Sequence, residues 1–129
     1  MNNGKAKIKS FVDLNAWKEF HSLVLKTYKT TNSFPKTEQF GLTNQIRRAS
    51  VSITSNIAEG FSRSSYKDKA HFYSMALGST TEVQSQIMIA RDLNYISLEE
   101  FVDFENQIIV VHKLLNGLIK SSNTIIHNT

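Results

Sequence analysis

Glu59 and Glu82 are the residues of this 129-residue chain that come nearest to a catalytic constellation. Two carboxylates held at different protonation states do general acid and base work, but only where a cleft brings them together. Nothing in their spacing does so, and Arg48 or Arg63 offers a structural partner instead. His21, His71, His112 and His127 are dispersed, with no H-E-x-x-H pattern. Without cysteine there is no thiolate site either, so no metal is expected. Gly60-Phe61-Ser62-Arg63-Ser64 approaches the nucleophilic serine turn of hydrolases, yet Ser64 stands where the second glycine belongs and no strand leads into it. The five glycines stand singly, which leaves no phosphate-cradling loop and no dinucleotide fingerprint. The expectation is a protein that is not an enzyme and carries no cofactor.

Basic residues form the other chemically competent set. Residues 1–69 hold 12 Lys and Arg against 5 Asp and Glu, residues 70–129 hold 3 against 6, and the net charge is +4. Lys5, Lys7 and Lys9 lie near the start, Arg47 and Arg48 in the second apolar-periodic segment, and Arg63, Lys67 and Lys69 at the turn that follows it. Such a skew suits a polyanion such as RNA or DNA, held through its phosphates without sequence readout. A solvated surface that leans positive has the same composition. Trp17 and the phenylalanines fall mostly on apolar stripes, so stacking on bases is not expected.

The elements that must position these residues are helical. One proline, five glycines and a 40% apolar fraction favour long regular segments. Leu14, Trp17, Phe20 with His21, Val24 and Tyr28 recur at steps of three and four, predicting a first helix over about 13–31 with Asp13 as its cap. Leu42, Ile46, Ala49, Ile53, Ile57 and Gly60 predict a second over about 43–61, with Thr43 as cap and Pro35 in the polar connection before it. Ser65 with Asp68 reads as a capping box opening a third helix, whose stripe runs from Tyr73 to Ala90 and ends near Leu93. Asn94 and Tyr95 make the next turn. Ser97 with Glu100 repeats the box ahead of a fourth helix running to about 122.

No segment alternates with period two, so the expected class is all-α: an antiparallel up-down-up-down four-helix bundle over residues 11–123. Residues 1–10 are expected to form a mobile basic tail and 124–129 a second mobile tail. The opening MNNGKAKIKS has no apolar run after its lysines, and no segment nears the roughly 18 apolar residues of a membrane span. A soluble, cytoplasmic protein with no membrane partner is expected.

On a helical wheel Arg48, Ser52, Asn56, Glu59 and Arg63 make one polar lane beside the apolar stripe of the second helix. Glu59 to Arg63 is an acid-to-base pair in the favourable order. Gly60 falls on the core side, where a missing side chain lets a neighbour approach. The third helix has a second lane of Phe72, Met75, Gly78, Ser79, Glu82, Gln86 and Ile89, and the fourth sets Val110 and Leu114 off its stripe. Apolar residues outside the core stripe predict self-association through Met75, Gly78 and Ile89. Arg48, Asn56, Glu59 and Glu82 are then expected to form a polar network that fixes register.

Three stretches also resemble a known family. "FVDLNAWKEFHSLVLKTY", "FPKTEQFGLTNQIRRASVSITSNIAEGFSR" and "FYSMALGSTTEVQSQIMIARDLNYI" look like the 23S rRNA-intervening-sequence proteins, a family of four-helix bundles. Thr54 and Ser55 depart from its pattern, and the fourth helix matches weakly. By the motif, Gln45, Arg47, Arg48, Asn56, Glu59, Gly60 and Arg63 are signature positions. The resemblance implies a bundle assembled as a ring-like pentamer, without enzymatic activity. It also implies kinship with an accessory protein of diversity-generating retroelements that binds nucleic acid and a reverse transcriptase. The expected function is an oligomer binding RNA or DNA through a basic surface of Arg47, Arg48, Arg63, Lys67 and Lys69. The alternative is a scaffold that docks another protein, such as a reverse transcriptase.

Overall fold

The computed structural model describes Leu14 and residues 16–128, the side chain of Asn128 aside; the expected tail at 1–10 and the Asp13 cap lie outside the described residues. Four α-helices occur among the described residues: α1 (Trp17–Thr31), α2 (Leu42–Ser62), α3 (Tyr66–Asp92) and α4 (Leu98–Asn128), with a short 3-10 turn at Lys36–Glu38. No strand occurs among the described residues. α4 continues six residues beyond the expected end near 122, because nothing between Ser122 and Asn128 breaks a helix; residues 124–128 are helical where a tail was expected.

The termini are set by local chemistry. At α3, Ser65 Oγ accepts from Asp68 N at 3.1 Å. At α4 both halves of the box form: Glu100 N donates to Ser97 Oγ at 3.0 Å, and Ser97 N donates to Glu100 Oε1 at 2.9 Å. α3 stops in a left-handed residue, Asn94 at φ 61°. There Tyr95 N reaches Ala90 O at 2.8 Å and Asn94 N reaches Arg91 O at 3.0 Å, which satisfies two end carbonyls. Thr43 is not the cap of α2. The helix begins one residue earlier, Thr43 is buried in its first turn, and Glu38 Oε1 accepts from Leu42 N at 3.3 Å instead.

α1 is rotated from the expected stripe. Phe20, Leu23, Thr27 and Thr31 are buried, while His21 and Tyr28 are exposed. Two threonines can face the core because each hydroxyl donates to a carbonyl of its own helix: Thr27 to Leu23 O and Thr31 to Thr27 O, both at 2.7 Å. Tyr28 instead lies under the Arg47 guanidinium, 4.8 Å from ring centre.

The core is Phe20, Leu23, Ile46, Ile53, Ile57, Val83, Ile87, Phe104, Ile108, Val111 and Leu115. Burying each such side chain stabilises by about 1.5–3 kcal/mol before entropy is charged against it. α3 lies between α2 and α4 along the two most extensive seams. Both are antiparallel: Ser52 meets Ser79 and Gly60 meets Tyr73 across one, and Gln84 meets Glu105 and Arg91 meets Phe101 across the other. α1 closes on α4 through Lys26–Asp103 at 2.6 Å and Gln107 Nε2 to Glu19 O at 3.4 Å.

Gly60 does what the wheel suggests. A Cβ there would stand 2.9 Å from Tyr73 Cε1 and 3.0 Å from Phe72 Cβ, whereas one at Gly78 meets nothing within 4 Å. Gly60→Ala is therefore expected to destabilise by about 1–3 kcal/mol through overpacking, in spite of the better helix former. Gly78→Ala should instead stabilise by about 0.5–1 kcal/mol. Urea unfolding of the two variants checks the opposite signs.

Candidate functional site

The α2–α3 seam presents one continuous outer face. α2 contributes Gln45, Arg48, Ser52, Asn56, Glu59 and Arg63. At 100° per residue Met75, Glu82, Gln86 and Ile89 of α3 fall within about 60° of arc beside them. The hydroxyls of Ser52 and Ser79 meet at 2.9 Å in the floor of this face. Towards the α2 N-terminus it opens into a groove of about 450 Å³ lined by Asn44, Gln45, Arg48, Glu82 and Gln86.

Within one chain the expected polar network does not close. Asn56 Nδ2 donates to Ser52 O at 2.9 Å and to Ser52 Oγ at 3.1 Å. Glu59 pairs with Arg63 at 2.8 Å, and the Arg63 guanidinium lies 4.7 Å from the Phe72 ring centre. Arg48 and Glu82 share the groove, yet neither has an ion-pair or hydrogen-bond partner among the described residues. Gln86 is only 7% exposed, and its buried Oε1 has no donor. A buried amide left unpaired costs about 1–3 kcal/mol. Around these groups Met75 is 37% and Ile89 46% exposed, and Gly78 borders open space.

Glu59 and Glu82 do not form a carboxylate pair. The Ser52–Ser79 register sets Glu82 opposite the region of residue 49, about 15 Å along the axis from Glu59.

The five basic positions divide between two places. Fifteen residues of helix separate Arg48 from Arg63, about 22 Å along the α2 axis. Arg47 is tied down: Nε donates to Thr31 Oγ1 at 2.8 Å, and Nη2 donates to Asn32 Oδ1 at 3.0 Å and to Tyr28 O at 3.4 Å, all at the end of α1. Lys69 Nζ donates to Phe61 O at 2.6 Å and Gly60 O at 3.4 Å, so its cation meets the negative end of α2. Burial holds its pKa below the usual lysine value. Lys67 is exposed, with no hydrogen-bond or ion-pair partner among the described residues.

Sequence reasoning missed a second polar cluster at the other end of the helices. Tyr95 Oη donates to Glu38 Oε2 at 2.9 Å while Glu38 Oε1 holds the first turn of α2, and the Tyr95 ring packs 5.4 Å from Phe34. The hydrogen bond to Glu38 is the leading cause that raises the Tyr95 pKa, followed by desolvation and the Glu38 charge. The sequence signal was Asn94-Tyr95 read as a bare turn. Phe40, just ahead of α2, stands almost wholly exposed.

These features describe an all-helical protein whose unusual chemistry lies along an outward helix face. The chain belongs to the 23S rRNA-intervening sequence protein family, which it matches over residues 12–117. Its fold is similar to the crystal structure of a protein of unknown function from the S23 ribosomal protein family of Bacteroides thetaiotaomicron VPI-5482. Identity is 23% and the TM-score 0.73, over 81% of this chain and 98% of that one. No curated protein matches the chain. Among the described residues no helix is long and apolar enough to cross a membrane.

A raised tyrosine pKa means the folded state holds that proton more tightly than the unfolded state. The contribution is full below the unfolded value of 10.0 and is lost as pH climbs through the folded value. The melting temperature should therefore fall less steeply above pH 10 in Tyr95→Phe than in the parent, as thermal melts across pH 8–11 would register.

Proposed function

We propose that the chain is a non-enzymatic, cytoplasmic, up-down-up-down four-helix bundle that self-associates and binds RNA or DNA through a basic surface. The observation that carries the reading is the charge skew: 12 of the 15 Lys and Arg lie in residues 1–69. It is supported by Arg63, Lys67 and Lys69, which the α2–α3 turn gathers at the start of a 27-residue helix. Arg48 lies in the separate groove, and Arg47 serves α1 first. The ring-like pentamer that the family resemblance implies would bring several such turns onto one assembly.

The rival reading, a scaffold that docks a second protein, is favoured by one observation, the exposure of Met75 and Ile89. Either reading leaves the acid pair Glu59 and Glu82 without a catalytic role.

Filter binding of structured RNA separates the readings. Retention is expected at 50 mM salt and should fall steeply as salt rises, with log affinity losing about 0.9 per decade of salt for each phosphate neutralised on a duplex. Lys67→Glu should weaken binding at every salt concentration, while Met75→Glu abolishes capture of a protein partner in the rival case only. No retention near 50 mM salt ends the nucleic-acid reading. Arg47→Ala does not discriminate, because it also loosens α1 from α2.

A further inference from the structure

We infer that the groove between α2 and α3 is half of a contact with a second copy of this chain, in which Arg48 of each copy pairs with Glu82 of another. The inference rests on the self-association in the proposed function and names the groups that make it.

Three observations converge on a second copy as the occupant. Arg48 and Glu82 line one groove, and neither has a partner among the described residues. A surface bearing one unpaired cation and one unpaired anion is complementary to itself, so an identical chain answers both charges where a purely acidic or basic partner answers one. Gln45 and Asn44 line the same groove with amide groups. Amides both donate and accept, so two copies of the groove can also hydrogen-bond to each other through these side chains. The flanks are apolar: Met75 on one side of Glu82 along α3, and Ile89 on the other, each more than a third exposed. A desolvated rim of that kind keeps water from an enclosed ion pair.

The contact lies between an α2 lane and an α3 lane, so it works whether the same patch meets itself or each copy meets the next in a ring. It also reassigns Arg48, which becomes an assembly residue and leaves the phosphate-facing set.

Charge reversal tests this. Light scattering of the purified chain without nucleic acid should give a multiple of 14.7 kDa. Arg48→Glu and Glu82→Arg should each lower the mass to that of one chain while circular dichroism keeps its helical signal. The double variant Arg48→Glu/Glu82→Arg should restore the parent mass, and mixing the two single variants should raise the mass above that of one chain. A parent that is monomeric overturns the self-association reading and this inference with it. An oligomeric parent whose mass neither reversal changes, or whose loss the double variant does not restore, overturns the inference alone. If a single variant loses its helical signal, the double variant still decides, since no mass recovery there also overturns the inference.

Discussion

The close approach of α2 and α3 at Gly60 is the constraint from which the candidate site follows. Tyr73 occupies the volume a side chain at residue 60 would fill, so only glycine lets the two axes come this near. That contact fixes how far α3 can slide along α2. The Ser52–Ser79 hydrogen bond, two turns away, repeats the same register. Once both are set, Arg48 and Glu82 must share a groove, although 34 positions separate them in sequence. The apolar interior would tolerate other registers, since isoleucine and valine pack with little directional preference. A missing methyl group and a pair of hydroxyls restrict it to one.

The opposite end of the helices is held by polar groups reaching across connections. Glu38 binds the first turn of α2 with one oxygen and Tyr95 with the other, joining the α1–α2 connection to the α3–α4 turn. Arg47 does the same for the end of α1, where Tyr28 O, Thr31 Oγ1 and Asn32 Oδ1 would otherwise face water. α1 is the shortest of the four helices and packs less extensively than α3. An arginine with three acceptors and an aromatic ring beneath it compensates for the apolar area that α1 lacks.

Legibility in the sequence followed the chemistry of each element. α2 could be read almost residue for residue, because its buried positions are apolar or small and recur at helical spacing. α1 was legible as a helix but not in its rotation. Thr27 and Thr31 look polar in a sequence, and only hydroxyl bonds to their own helix let them turn inward. The Ser65 and Ser97 boxes were legible because both partners lie three residues apart. Thr43 looked like the same signal, but the job fell to Glu38, whose side chain reaches forward from the preceding turn. The lanes on α2 and α3 were visible on a wheel. Which members meet depends on the register between two helices, and no single-helix pattern contains that.

Charge links the proposed assembly to the proposed polyanion binding. At the α2–α3 turn Arg63, Lys67 and Lys69 stand near Glu59 and Asp68, which leaves one net positive charge per chain. Lys69 faces carbonyl dipoles rather than a carboxylate, so its charge is still expressed, whereas that of Arg63 is offset by Glu59 at 2.8 Å. One charge is a weak attractor at physiological salt, where screening acts over about 8 Å. Affinity for a phosphate backbone grows with the number of phosphates neutralised together, so copies that present their turns side by side gain what one chain lacks. On this argument the α2–α3 groove and the basic turn have separate tasks. In the proposed assembly the groove would join copies through paired charges, and the turn would supply the small surplus that joining multiplies.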